Sequence, residues 1–125
     1  MKTYWSTLLI FAVTFAYALN NFAQAKTGSY RKIPNSDAGA IAAAEFAART
    51  QSEKDDAEIV LQTIEKAESQ TVAGTNYRLC IEVFRIESGD DAEVRQYVQT
   101  IVFRNLKKEF ALKSWETIED CGESQ

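Results

Sequence analysis

Among the groups in this chain able to do chemistry are two cysteines, Cys80 and Cys121, and 18 Asp and Glu carboxylates, but no histidine. Without imidazole there is no Ser-His-Asp or Cys-His activation of a nucleophile, no histidine acid–base step and no His-containing metal site. Two thiols cannot complete a four-thiolate zinc site, and no carboxylate pair suggests glycosidase chemistry. The chain is therefore not expected to be an enzyme, nor to need a metal or another cofactor. The segment Gln70-Thr71-Val72-Ala73-Gly74 offers contact instead of reactivity. Gly74 permits positive φ or close backbone approach. Val72 supplies a small apolar contact, and Gln70 can hydrogen-bond to hold a loop rigid, which limits the ordering cost of binding.

The elements that must position this segment follow from pattern. A length of 125 residues holds one domain of ordinary size, and a formal net charge of -4 with a pI of 4.9 argues against nucleic-acid binding. Tyr30 to Pro34 reads as a short extended piece, because Pro34 disfavours the helical region for Ile33. Asp37 is the best-placed N-cap for the alanine-dense run that starts at Ala38. Ile41 and Phe46 are the large apolar groups of that run, so the helix is expected to approach something broad, such as a concave sheet face. The polar run Gln51 to Asp56 is expected to end it. Ala57, Val60, Leu61, Ile64 and Ala67 recur at helical spacing, although Ile, Val and Thr favour strand; periodicity alone predicts a second helix here. Tyr77, Leu79, Ile81 and Val83 alternate with polar neighbours as a strand with one buried face. Ser88 to Asp91 is a turn, Tyr97 to Phe103 a strand, and Phe110 to Ser114 another. Asn105-Leu106-Lys107-Lys108 connects the last two as a hairpin. A helix followed by antiparallel hairpins predicts an α+β fold with the helix lying across the sheet.

The first residues read as an address. Leu8 to Leu19 is a run of twelve largely apolar positions, too short to span a bilayer. It has the length of a signal-peptide h-region, and Ala23-Gln24-Ala25 supplies a small-x-small cleavage pattern. Residues 1–25 are thus expected to be removed, leaving a secreted domain of residues 26–125 without membrane attachment. Lys+Arg falls from 14 to 13 on removal of Lys2 while Asp+Glu stays at 18, so that domain carries 13 − 18 = -5. In an oxidising compartment the one available bridge joins Cys80 to Cys121. A loop of about forty residues makes it worth roughly 3–4 kcal/mol.

Gln70-Thr71-Val72-Ala73-Gly74 resembles the Gln-x-Val-x-Gly loop of the cystatins, inhibitors of papain-like cysteine proteases. Its surroundings agree: Leu61, Ile64 and Ala67 precede Gln70 as in Leu-x-x-Val-x-x-Ala-x-x-Gln, and Asn76-Tyr77 follow. Gly28-Ser29-Tyr30-Arg31-Lys32-Ile33 resembles the family's Gly-Gly-Trp-x-Pro-Ile opening, and Glu45-Phe46-Ala47 its helix core. The resemblance implies one helix packed across a curved antiparallel sheet of four to five strands, with Glu58 to Val72 on a strand. It also implies a monomer that plugs the cleft of a papain-like, cathepsin-type protease. The plug would be a trunk bending at Gly28, with Lys26 and Thr27 reaching subsites, and two hairpins, Gln70 to Gly74 and Asn105-Leu106. The family's second hairpin carries Pro-Trp, which Asn105-Leu106 lacks; losing such an anchor costs on the order of 2 kcal/mol, about thirtyfold in affinity. Placing that tip at Ser114-Trp115 instead leaves a poor last strand, so Trp115 is expected inside it. Secreted animal cystatins carry two bridges, against at most one here. The altered hairpin motivates an alternative, a cystatin-fold binding protein without inhibitory activity, such as a cathelin-like or carrier-like one. A carboxylate hydrolase is a third reading, which the residues do not support.

Overall fold

A computed structural model of the chain describes residues 28–122. The expected signal peptide, residues 1–25 with cleavage after Ala25, lies outside the described residues, as do Lys26 and Thr27.

Helix α1 (Ala38–Asp55) follows β1 (Arg31–Lys32). Its first turn is closed by the Asp37 carboxylate, which accepts the Ala40 N–H at 2.9 Å. The helix ends inside the polar run Gln51 to Asp56, as expected, but only at its far end, since Gln51 to Asp55 are still helical. Polar residues suffice on an outward helical face, and here Gln51 Nε2 donates to Asp55 Oδ2 at 2.9 Å, one turn apart. Asp56 then stops the helix in the left-handed conformation, φ 50° and ψ 47°.

Strands β2 (Ala57–Val72), β3 (Gly74–Glu87), β4 (Val94–Arg104) and β5 (Phe110–Ile118) form an antiparallel meander, with β1 paired to the outer edge of β2. This is the α+β arrangement expected, one helix on a five-stranded open sheet. Ala40, Ala43, Ala44 and Ala47 are fully buried against a sheet face of Leu79, Ile81, Val83, Val98 and Val102. Small side chains let the helix axis approach the sheet closely. Phe46 stacks on Phe110 at 5.4 Å, whereas Ile41 is 38% exposed and lies outside the core cluster.

The second helix predicted by periodicity is absent: Ala57 to Ala67 is the first half of β2. Its core-facing residues are Ala57, Ile59, Leu61, Ile64, Ala67 and Ser69. The pairing with β3 slips at Gln62 and again at Glu65, each slip a bulge that inserts one unpaired residue. Two bulges turn the strand period of two into steps of three from Leu61 to Ile64 to Ala67, which imitates a helix. Val60 fitted the helical pattern only by accident, being outward and exposed. A third slip, between Ile101 and Val102, lies in the β4–β5 ladder. The fully buried Thr100 there donates its hydroxyl to the Ser114 carbonyl at 2.7 Å, so its burial leaves no unmet polar group.

Cys80 and Cys121 are bridged, with Cα atoms 5.8 Å apart. Cys80 faces away from the helix, between Leu79 and Ile81, which face it. Since β4 separates β3 from β5, the segment after β5 must cross β4 on the outer face to reach Cys80.

Candidate functional site

Antiparallel pairing fixes which loops share an end of the sheet. The β2–β3 bend and the β4–β5 hairpin are at one end, and β1 brings the amino-terminal segment alongside, Arg31 pairing with Ser69. Gly28, Gln70 to Gly74, Asn105 and Leu106 therefore gather on one edge. Cys80 lies several residues along β3 from the bend, so the disulfide supports this edge without forming part of it.

The bend is tight. Val72 pairs with Gly74, leaving Ala73 alone at the tip. Thr71 and Ala73 are exposed, Val72 and Gly74 half-buried. Gly74 has φ +121°, and a Cβ on it would lie 2.4 Å from the Arg104 carbonyl and 2.9 Å from the Phe103 ring. Only glycine meets both demands, and its bareness seats the bend directly on the end of β4.

The amino-terminal segment is tied to this bend by a short chain of hydrogen bonds. Gly28 N–H donates to the Thr71 carbonyl at 3.1 Å. Gln70 Nε2 donates to the Gly28 carbonyl at 2.8 Å, and Asn76 Nδ2 donates to Gln70 Oε1 at 2.9 Å. A Cβ on Gly28 would stand 2.9 Å from the Thr71 oxygen, so this approach too depends on a missing side chain. Two residues on, the Arg78 guanidinium sits 4.1 Å from the Tyr30 ring centroid. Arg78 is itself held by a two-pronged contact with Glu68, at 2.8 and 3.2 Å, which raises its pKa above the ordinary arginine value against the opposing effect of burial.

The second hairpin has a different construction. Asn105 Oδ1 accepts the N–H groups of Lys107 and Glu109, both at 2.9 Å, and Lys108 N–H donates to the Asn105 carbonyl at 2.9 Å. Lys108 takes the left-handed conformation at φ 66°, completing a three-residue loop of Leu106, Lys107 and Lys108. Asn105 is thus committed to shaping the turn. The contact surface falls to Leu106, which is 80% exposed at the tip. Ser114 and Trp115 lie inside β5, Trp115 paired with Thr100 and packed on the core, so they form no tip.

Asn76, Arg78, Glu68 and Tyr30 are positioning residues; the motif included Asn76 and Tyr30 but assigned a role to none of the four. A signal for two pairs was available. Centring the hairpin on Ala73 sets Gln70 opposite Asn76 and Glu68 opposite Arg78, the register found here. The Arg104 and Phe103 seat under Gly74 had no such signal, because it depends on how β4 lies beside β3.

The edge is a projecting surface ordered by its own hydrogen bonds. Asp55, the carboxylate with a clearly lowered pKa, is at the opposite end of the sheet, where Arg85 and Gln51 hydrogen-bond it. Among the described residues no group of His, Cys, Asp and Glu could hold a metal ion, and no helix is long and apolar enough to cross a membrane. No protein-family model and no curated protein matches this chain, so its function is argued from the geometry of this edge.

Proposed function

We propose that this chain is a secreted, cystatin-like, reversible inhibitor of papain-like cysteine proteases. The observation that carries the reading is the Gln70–Gly74 bend, exposed at Thr71 and Ala73, standing between Gly28 and Leu106 on one edge. Such a three-part edge suits insertion into a long protease cleft. It blocks the catalytic thiol by occupying space, and no inhibitor side chain need react. The Gln70 hydrogen bonds hold trunk and bend together before binding, which reduces the ordering cost that a loose terminus would incur. The Cys80–Cys121 bridge is compatible with an oxidising compartment and hence with secretion.

Residues 26–125 contain every described element and suit the test. Stoichiometric titration against papain should abolish proteolysis. Ala73→Glu, at the exposed tip, should weaken inhibition by about a hundredfold or more while the fold survives, since a carboxylate would be driven into an occluded groove. Full papain activity with a micromolar excess of the folded chain would refute the reading. That outcome would favour a cystatin-fold binding protein without inhibitory activity, for which the replacement of Pro-Trp by Asn105-Leu106 is the supporting observation. Leu106→Trp should raise potency if the second hairpin enters the cleft.

A further inference from the structure

The charges of this acidic chain are sorted by the sheet into two poles. At the edge formed by residues 28–32, 70–76 and 103–109 stand Arg31, Lys32, Arg104, Lys107 and Lys108 against one carboxylate, Glu109, a formal +4. None of Arg31, Arg104, Lys107 and Lys108 has an ion-pair partner among the described residues. Arg104 has its guanidinium 5.8 Å from the Phe110 ring and a buried Nε without a hydrogen-bond partner. The opposite end, residues 53–58 and 85–95, carries eight carboxylates against three positive side chains, a formal -5. Part of that positive charge is already consumed, Arg85 pairing with both Asp55 and Glu87.

The sixteen residues of β2 run from one pole to the other, about 50 Å of strand at ~3.3 Å per residue. Screening at physiological salt acts over about 8 Å, so a partner meeting one pole does not feel the other. Overall net charge of -4 therefore misdescribes the encounter. From this sorting we infer that the cationic pole steers the edge onto papain-like proteases whose cleft rims are acidic. The inference rests on the function proposed above and adds the partner's charge to it. Steering of this kind acts on association rate more than on dissociation.

Stopped-flow association of residues 26–125 with two papain-like proteases, one of acidic and one of basic surface, tests it at ~10 and ~500 mM salt. Association with the acidic enzyme should slow by about tenfold or more as salt rises. Arg31→Glu with Lys107→Glu should slow it about tenfold at low salt alone, with dissociation little changed. Asp90→Lys with Asp91→Lys, at the other pole about 50 Å away, should change the low-salt rate several-fold less than the first pair, since screening at that salt acts over about 30 Å. The basic enzyme should show neither loss. A salt-independent rate for the acidic enzyme, or equal responses to reversal at either pole, would overturn the inference while leaving inhibition intact. Failure of the unmodified chain to inhibit either enzyme would overturn both this inference and the reading beneath it.

Discussion

Two glycines at this edge act through what they lack. At Gly74 a side chain faces a positive φ and the Arg104 carbonyl together, so neither a rotamer change nor a small shift relieves it. Gly74→Ala should cost about 1–3 kcal/mol of stability, read as a lower urea midpoint with unchanged slope. Because that cost is conformational, weakened inhibition by a Gly74 variant would not separate contact from shape; Ala73 and Leu106, both exposed, separate them. Gln70 has the complementary character. Its amide bridges the Gly28 carbonyl and the Asn76 amide, so it orders two segments while touching neither core nor solvent alone.

For the helix the deciding quantity is clearance. Ala40, Ala43, Ala44 and Ala47 have zero exposure, so the gap between α1 and the sheet is set by methyl groups. Ala44→Leu would force the helix off the sheet or a neighbour off its rotamer, a cost of about 1–3 kcal/mol. Equilibrium denaturation should register it, and truncation of Ile41, Ile41→Ala, which is 38% exposed and outside the core cluster, should cost less, about 1 kcal/mol or below. At its carboxyl end the helix carries an anion, Asp55, where the macrodipole disfavours one. Arg85 at 2.8 Å offsets this and, with Gln51, lowers the Asp55 pKa below 3.8. A depressed carboxylate contributes stability that is present above its unfolded pKa and lost as pH falls through the folded one. The stability gap between the native chain and Asp55→Asn should accordingly be present at pH 6 and close below about pH 3.8, remaining about 1 kcal/mol or less for a pair at the surface with side chains 29% and 19% exposed. Denaturation at the two pH values measures it.

Across the whole molecule the sheet is open, and its last strand is held by β4 on one side and by the disulfide beyond it. The bridge closes a loop with a sequence separation of 41, a constraint on the unfolded chain worth roughly 4 kcal/mol. Cys80→Ala with Cys121→Ala should lower the melting temperature by well over ten degrees, read by thermal circular dichroism. The hairpin edge should keep its hydrogen bonds, because Gln70 and Asn76 lie outside the bridged loop and those of Asn105 are local to residues 105–109. Inhibition by the folded fraction should persist.

Much of this molecule is legible residue by residue. Asp37 as a cap, Pro34 against helix, alternation from Tyr77 to Val83 and two cysteines with no other partners are local facts, and local sterics and pairing rules read them without a fold. The bend at Ala73 belongs with them, since glycine chemistry marks it. Three features were beyond that reach. The bulges at Gln62 and Glu65 disguised a strand as a helix, because a bulge is defined by the partner strand and the steps of three it leaves in the sequence are also a helix's. The Arg104 carbonyl under Gly74 exists only once β4 lies beside β3. The separation of charge into poles cancels in any sum along the chain, and appears only when antiparallel strands carry distant residues to opposite ends of one sheet.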